Sequence, residues 1–414
     1  MNPVFIMMLI FRKENVIYLL KEEEMKKILA IVMIMLLTFT MCVGCGSNGG
    51  SDASADTIKL GWIGALTGDQ AAFGTCESQA LKLLVEKKNE EGGILGQQIE
   101  LICYDTKGDA QEAINATKRL CAQDGVCAIL GPNASGQAMA IQSVLNEYHV
   151  TDMTTVGTNP KVTIAEDGSL MEYNFRVCFL DPEQGRIAAT FVKENLGFDK
   201  AAILYDVNDD YGQGLKQNFV EVFERLGGTI VTEEKYNGGD ADFTAQLTSI
   251  RDTDAQIIFT PIFYQDFIMM HKQARTLGIE LPFLGGDGCA SEVLFDAAEA
   301  VDGSYVINHV SLVDPSGDAW RTEYAERWDG AKMELNGYMI YDAFATWCAA
   351  VEKAGSADPD AIKDAYCEVE VEGITGTIKL DPATHNPIGK SGCVERVDGV
   401  NKTYVFEAKV AAAE

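Results

Sequence analysis

Residues 126–163 repeat one pattern: a short apolar run, then a turn of small and hydroxyl-bearing residues, then a segment with helical character. The first run, 126–130, leads into the turn 131–137, and the second leads into the turn 154–160. Each half is typical of a strand that ends just before a helix, which places free backbone N–H groups and hydroxyls at the carboxyl edge of a sheet. We therefore expect a receptor for a small anion at this edge.

Ser135 and Thr158 are the candidate anion ligands in these two turns. A hydroxyl donates a hydrogen bond to a carboxylate without the bulk of an arginine side chain. The alternative is that both residues are ordinary helix N-caps, which is the common role of a lone Ser or Thr before a helix. The rest of the chain favours the binding role.

The same alternation of strands and helices extends along most of the chain and falls into two sets, the second of which begins near Glu183. It predicts parallel β-α-β units that bind ligands at the carboxyl ends of strands, and two sheets imply two lobes with a cleft between them. The predicted strands are 57–64, 99–104, 126–130, 201–205, 229–234, 256–260, 283–285 and 304–311, and the predicted helices are 76–90, 110–123, 183–195, 213–226, 242–251, 265–277, 317–328 and 338–354.

The order of these elements also predicts where the chain passes between the lobes. The chain crosses back to the first lobe after 304–311, and a third crossing is expected near 373–380. The predicted fold class is therefore α/β, with two doubly wound parallel-sheet lobes joined by a three-strand hinge. The predicted domains are lobe I, 57–178 plus 310–375, and lobe II, 179–309 plus 376–414.

Length and composition agree with two folded lobes. A chain of 414 residues can build two full cores, and its 47% apolar and 23% charged residues are those of an ordinary globular protein. The formal charge of −29 argues against contact of the folded body with nucleic acid or an anionic membrane, since either needs a basic face.

The amino-terminal region has the pattern of an export signal. An apolar run, 28–41, follows Met25 and two lysines, and small residues then stand before Cys45, which resembles the bacterial lipobox. Cys42 stands where that motif usually has Leu. Residues 25–44 are predicted to be a lipoprotein signal peptide and Cys45 the lipidated first residue of the mature protein. A retained transmembrane helix is disfavoured because the run is shorter than the ~20 residues a bilayer needs.

Two further segments flank this signal. Residues 1–24 carry an acidic cluster that a signal peptide does not have, and we interpret them as an upstream mis-start extension. Residues 45–56 are rich in Gly, Ser, Asn, Asp and Ala and predict a flexible tether.

Nine cysteines remain after Cys45, and the sequence indicates no metal or cofactor. Several lie in apolar runs, for example Cys103, Cys127 and Cys178, where a thiol behaves as a small core residue. One or two disulfides stay open as an alternative. No Cys-x-x-Cys or His-rich spacing suggests zinc, and the acidic segment 206–210 lacks the Gly and Glu of a calcium loop.

Five segments, taken together, resemble the type I periplasmic binding proteins in order and spacing. The resemblance covers about residues 57–410 and is closest to the branched-chain amino-acid binding proteins of ABC importers. The five segments are 89–96, 131–137, 156–160, 209–214 and 285–288.

This resemblance implies a role for each candidate residue of the cleft. Ser135 and Thr158 would hold a ligand carboxylate, and the carbonyl of Val156 would take part of the ammonium. Asp287, where relatives often have Glu, would close on the ammonium from the second lobe. The alternative for Asp287 is an ordinary turn residue in a Gly-Gly-Asp-Gly sequence.

Other positions that match the family's cleft are Ala134, in the same turn as Ser135, and three aromatic residues: Phe73, Tyr211 and Phe263. Tyr264 is the rival of Phe263 for the pocket. Trp62 is expected in the core, and Arg176 is expected in a structural ion pair. Aromatic walls without a second charge favour a ligand with a neutral, branched-chain or other aliphatic side chain.

The resemblance implies an extracytoplasmic, lipid-anchored and monomeric solute-binding protein that delivers an amino acid to an ABC permease and binds no nucleic acid. An extracellular amino-acid sensor with the same two lobes is the first alternative. An α/β enzyme is disfavoured because Gly-x-Gly-x-x-Gly after the first strand and Gly-x-Ser-x-Gly around Ser135 are absent, and no His lies in a motif turn.

Overall fold

The computed structural model describes residues 12–13, 16–17 and 57–410. Residues 1–54 group as a unit of their own, in which Arg12–Lys13 pairs with Val16–Ile17 in an antiparallel bridge. The predicted signal peptide, Cys45 and the predicted tether lie outside the described residues.

The first sheet is built from five parallel strands, each followed by a crossover connection. Its first strand in the chain reads Ile-Lys-Leu-Gly-Trp-Ile-Gly and is almost entirely buried, as expected for a parallel strand covered on both faces. The elements are β1 Ile58–Gly64, α1 Ala71–Glu90, β2 Ile99–Asp105, α2 Ala110–Arg119, β3 Ala128–Leu130, α3 Ser135–Tyr148, β4 Thr151–Thr154 and β5 Asn174–Arg176, with the strands in the order β2-β1-β3-β4-β5.

The second sheet starts in the next part of the chain with the same alternation. Its first five strands are parallel to one another. The elements are α4 Asp181–Thr190, β6 Lys200–Asp206, α5 Asp210–Arg225, β7 Thr229–Tyr236, α6 Thr244–Arg251, β8 Ile257–Thr260, α7 Tyr264–Thr276, β9 Phe283–Gly285, α8 Ala298–Val301 and β10 Tyr305–Asn308.

The chain then returns to the first sheet and finally to the second. Helices α9 and α10 pack on α1, so both belong to the first lobe. The final two strands join β10 in antiparallel pairing and extend the second sheet to seven strands, in the order β14-β13-β10-β9-β8-β6-β7. The elements are α9 Asp318–Arg327, α10 Leu335–Ala354, α11 Pro359–Tyr366, β11 Glu370–Gly373, β12 Gly376–Lys379, β13 Gly392–Asp398 and β14 Thr403–Val410.

The third crossing lies later in the chain than the sequence predicted. Strand β12 pairs with β11 in a hairpin that packs on α10, and the first strand to rejoin the second sheet begins at Gly392. The cause is the buried Asp342 of α10, which accepts hydrogen bonds from the backbone N–H groups of Ile374 (2.7 Å) and Thr375 (3.1 Å) in the hairpin turn. The boundary predicted near 373–380 therefore differs from the structure, and the three-strand hinge stays a prediction.

All nine cysteines between Cys76 and Cys393 are free thiols, and six of them are buried. Burial raises the pKa of the Cys127 thiol to about 12, so it stays neutral at physiological pH. The expectation that most of these cysteines are core residues is confirmed.

Candidate functional site

A cavity lies between the carboxyl ends of the two sheets. The gap between its walls is narrow, and a water-sized sphere can occupy about 20 Å³ of it. Nearly all of the residues predicted for the cleft line it. The lining consists of Phe73, Asn133, Ala134, Ser135, Val156, Leu335 and Asn336 from the first lobe and Tyr211, Phe263, Asp287 and Gly288 from the second.

The N-terminus of α3 opens toward this cavity. Ala134 is its N-cap and offers no side-chain acceptor to the free N–H groups of the first turn. Ser135 Oγ accepts a hydrogen bond from the Asn159 N–H at 3.1 Å, which leaves the hydroxyl proton free to donate. The turn therefore leaves hydrogen-bond donors free at the cavity, an arrangement that suits an anion, and anion binding there stays a prediction.

The second turn of the first lobe is tied to the first. The hydroxyl of Thr154 donates to the carbonyl of Pro132 and accepts from the Gly157 N–H at 3.1 Å. Arg176, which is fully buried, donates to the carbonyls of Gly157 at 2.6 Å and Asn159 at 2.9 Å. The ion pair predicted for Arg176 is wrong, because its guanidinium bonds backbone carbonyls and holds this turn in place.

Thr158 does not lie among the residues that line the cavity. It is fully buried, its carbonyl accepts from the Asp181 N–H at 3.0 Å, and its hydroxyl lowers the pKa of the Asp181 carboxyl, which burial raises. Thr158 is thus set apart from the lining residues, because the start of α4 packs against this turn, and its contact with a ligand stays a prediction.

Asp287 lies at the carboxyl end of β9, is only 4% exposed and faces the cavity. One carboxylate oxygen accepts from Gln184 Nε2 and from the Gly288 N–H, both at 3.0 Å, and the other accepts from His309 Nε2 at 2.9 Å. His309 Nδ1 accepts from the Phe179 N–H, so the proton of its ring is on Nε2. Burial lowers the pKa of His309, which keeps the ring neutral.

Tyr211 and Gln184 complete this half of the cavity. Gln184 Oε1 accepts from the Asp287 N–H at 3.0 Å and from the Tyr211 hydroxyl at 3.4 Å, and that hydroxyl accepts from the Gly288 N–H at 3.2 Å. A side chain at Gly286 would meet the Tyr211 oxygen at 2.1 Å, so only glycine fits there. The Asp287 carboxylate, the Tyr211 hydroxyl and the Gln184 amide are therefore bonded to one another.

Phe263 rather than Tyr264 lines the cavity. Tyr264 lies behind it, where its ring packs edge-on against Phe73 with 4.8 Å between ring centres. Its hydroxyl accepts from the Ala72 N–H at 3.2 Å, which joins the two lobes.

Further contacts between the lobes show that the cleft is closed. Glu334, in front of α10, accepts from the Ser291 hydroxyl at 3.1 Å and the Glu292 N–H at 3.0 Å in the second lobe. Asn159 Nδ2 donates to the Asp210 carbonyl at 2.9 Å. The cavity is thus enclosed between two lobes that touch directly.

A buried acid lies directly behind the first-lobe wall. Glu77 accepts from Trp62 Nε1 at 3.2 Å, from the Thr155 hydroxyl at 3.1 Å and from Asn336 Nδ2 at 3.0 Å. Burial raises its pKa to about 7. Trp62 is fully buried, as the sequence predicted.

Sequence reasoning missed several residues of the site. Asn133 stood within a turn that the sequence singled out, and its polar side chain directly after a strand was the available signal. Gln184, His309 and Asn336 carried no such signal, because their roles arise from contacts with residues far away in the chain.

Within the described residues, no three His, Cys, Asp or Glu side chains are placed to hold a metal ion. Over the same part of the chain, no helix has both the length and the apolar character needed to cross a bilayer.

Comparison with solved structures finds the same architecture in two binding proteins. A leucine-binding protein LivK from Thermotoga maritima is 31% identical, with a TM-score of 0.78 over 86% of this chain and 99% of that one. The branched-chain amino acid transporter substrate-binding protein LivJ from Streptococcus pneumoniae, solved in complex with isoleucine, is 29% identical, with a TM-score of 0.78 over 86% and 99%.

Sequence comparison leads to the same group. A leucine-, isoleucine-, valine-, threonine- and alanine-binding protein of Pseudomonas aeruginosa is 26% identical over 333 residues, which span 79% of this chain and 87% of that protein. The family model for periplasmic binding proteins matches residues 57–400. These matches confirm the predicted fold class and the prediction that the chain is not an enzyme. The chain belongs to the periplasmic binding protein family and has the type I fold of its branched-chain amino-acid-binding members.

Proposed function

We propose that this protein is an extracytoplasmic solute-binding protein that captures an α-amino acid between its lobes and delivers it to an ABC permease. One observation carries the proposal. A single cavity is lined by Asp287 from the second lobe and by Ser135 at the open N-terminus of α3 from the first. The first suits the ammonium of a zwitterion and the second suits its carboxylate.

Because the ammonium and the carboxylate of the ligand bind different lobes, the ligand holds the two lobes together. A zwitterion gains both sets of contacts only when the cleft is closed, so it shifts the hinge toward the closed form. Moving a hinge from mostly open to mostly closed needs about 5 kcal/mol of differential affinity. A charge-assisted pair at Asp287 together with several hydrogen bonds at α3 is of that order.

The side chain of the ligand is proposed to be neutral, with a branched-chain or other aliphatic group as the first candidate. Phe73, Phe263 and Leu335 supply the apolar part of the lining. The relatives named for leucine, isoleucine and valine support the same class.

The closed form is proposed to be what the permease recognises, with the protein acting as a monomer held to the outer face of the membrane through a lipid on Cys45. The transporter relatives support this role over the sensor alternative. Loss of membrane association in Cys45→Ser cells is the expected check of the anchor, and unchanged association would exclude it.

Thermal-shift screening of the twenty amino acids tests the proposal. We expect one small group to raise the melting temperature by several degrees, because a ligand that binds only the folded state stabilises it. The Asp287→Asn variant should bind that group at least ~10-fold more weakly, since it loses the charge that pairs with the ammonium. Asp329→Asn, at an exposed turn position, is the matched control and should bind normally. Absence of any stabilisation would refute the function, and normal binding by Asp287→Asn would remove this residue from the site.

A further inference from the structure

The cavity has an apolar part and a polar part. Phe73, Phe263 and Leu335 form the apolar part, and Asn133 and Asn336 form a polar wall on the first lobe. Asn336 is anchored, because its Nδ2 donates to Glu77 at 3.0 Å. An aliphatic ligand side chain would meet two amides on this wall, which is unfavourable unless the amides have partners.

Asn133 lies close enough to Glu77 to lower the pKa of that carboxyl, which burial raises, but its amide is not anchored in the same way. The residue is only 4% exposed, and neither its Oδ1 nor its Nδ2 completes a hydrogen bond with another described residue. A buried polar group without a partner costs roughly 1–3 kcal/mol. Asn133 is also a lining residue of the cavity, so an occupant of the cavity would lie next to its side chain.

The zwitterion itself is not the natural partner of Asn133. The ligand carboxylate has the N–H groups of α3 and the Ser135 hydroxyl, and the ammonium has Asp287. Glu77 lies beside the Asn133 amide and disfavours a second negative charge there. The lining contains no Lys, Arg or His that would neutralise an acidic side chain.

We infer that the preferred ligand carries a neutral hydrogen-bonding group, a hydroxyl or an amide, on its side chain, and that Asn133 is the residue that selects it. This inference rests on the proposed function and narrows it. The ligand is still a zwitterion with an uncharged side chain. That side chain combines apolar surface with a polar tip and is not purely aliphatic.

Isosteric ligands test the inference on the unmodified protein. Threonine and valine have nearly the same shape and the same zwitterion, as do asparagine and leucine. In isothermal titration calorimetry we expect the polar member of at least one pair to bind ~10-fold or more tightly than its apolar isostere. A site built to bond a polar group discriminates against the analogue that lacks it.

The Asn133→Leu variant tests the residue. It replaces the amide by an apolar group of similar size, so the preference within that pair should fall to parity or invert. The melting temperature without ligand should stay the same or rise, since an unpaired buried amide has been removed. Asn115→Leu, at an exposed position on α2, is the matched control and should keep the preference of the unmodified protein.

The outcomes separate the inference from the function on which it rests. Tighter binding of valine than threonine and of leucine than asparagine would overturn the inference and leave the amino-acid function intact. If Asn133→Leu lowers the affinity for both members of a pair equally, the amide contacts the zwitterionic part of the ligand. That result would also overturn the inference. Failure of every amino acid to bind would overturn both proposals.

Discussion

The two walls of the cavity differ in how completely their polar groups are paired. On the second-lobe wall, the carboxylate of Asp287 accepts three hydrogen bonds, and Tyr211 and Gln184 are bonded to the same network. On the first-lobe wall, α3 begins without a side-chain cap and the amide of Asn133 has no partner among the described residues. One wall is complete without a ligand, and the other is not.

This difference indicates that the two walls have different roles in binding. A carboxylate held by partners of its own lobe keeps its position whether the cleft is open or closed, which is what a preorganised binding group requires. Unpaired donors on the other wall gain their partners only when a ligand arrives, so they supply the energy that distinguishes one ligand from another. We therefore expect substitutions on the two walls to have different signatures.

The largest expected effect is the change of stability with pH that Glu77, the buried acid behind the first-lobe wall, produces. Glu77 has a folded-state pKa of about 7, above its ordinary value of 4.5, because it is buried. Its contribution to the free energy of unfolding is fully present below pH 4.5 and is lost as the pH rises through 7, a loss on the order of 3 kcal/mol. Urea unfolding at pH 5 and pH 8 measures it.

The matched variant for this measurement is Glu77→Gln, which keeps the shape of the side chain and cannot ionise. Its free energy of unfolding should fall less between the two pH values than that of the unmodified protein. Glu334, whose pKa burial raises to about 8, acts in the same direction in both proteins and cancels in the comparison. Equal pH dependence in the two proteins would show that Glu77 ionises normally.

The next effect concerns the scaffold of the second-lobe wall. Gln184→Leu leaves the Asp287 carboxylate and backbone N–H each without one buried partner, so we expect about 2 kcal/mol lower stability without ligand and a ~30-fold loss of amino-acid affinity. Chemical unfolding and calorimetry measure the two quantities. Gln111→Leu, on the exposed surface of α2, serves as the control. Unchanged affinity together with lower stability would show that Asp287 does not need this support.

The smallest effect concerns the hydroxyls of the first-lobe wall. Ser135→Ala removes one donor to the ligand carboxylate and the acceptor of the buried Asn159 N–H, so we expect affinity to fall about 10-fold, or about 1.4 kcal/mol, and stability without ligand to fall by about 1 kcal/mol. Thr158→Val should cost less affinity, because Thr158 lies outside the lining and beside Asp181. Calorimetry measures the affinity of both variants. A larger loss of affinity in Thr158→Val than in Ser135→Ala would support the contact between Thr158 and the ligand carboxylate that the resemblance implied.

The elements of this fold could be predicted largely from local patterns. Strand 283–285 coincides with its prediction, whereas α1 begins at Ala71 rather than residue 76 because Phe73 and Gly74 already pack inside the first lobe. The third crossing could not be predicted. It depends on Asp342, whose carboxylate bonds a turn more than thirty residues later in the chain.

The sequence by itself determined the two α/β sheets, the turns at their carboxyl ends and most of the residues that line the cavity. These follow from the spacing of apolar residues and from turns rich in glycine and hydroxyls, which act over a few neighbouring residues. Only the tertiary structure decided which polar groups have partners. Gln184 and Asp287 are 103 residues apart and bonded, whereas the Asn133 amide completes no hydrogen bond within the part of the chain that the structure describes. The reason is that hydrogen bonding in a buried site depends on which groups the packing of distant elements brings within reach.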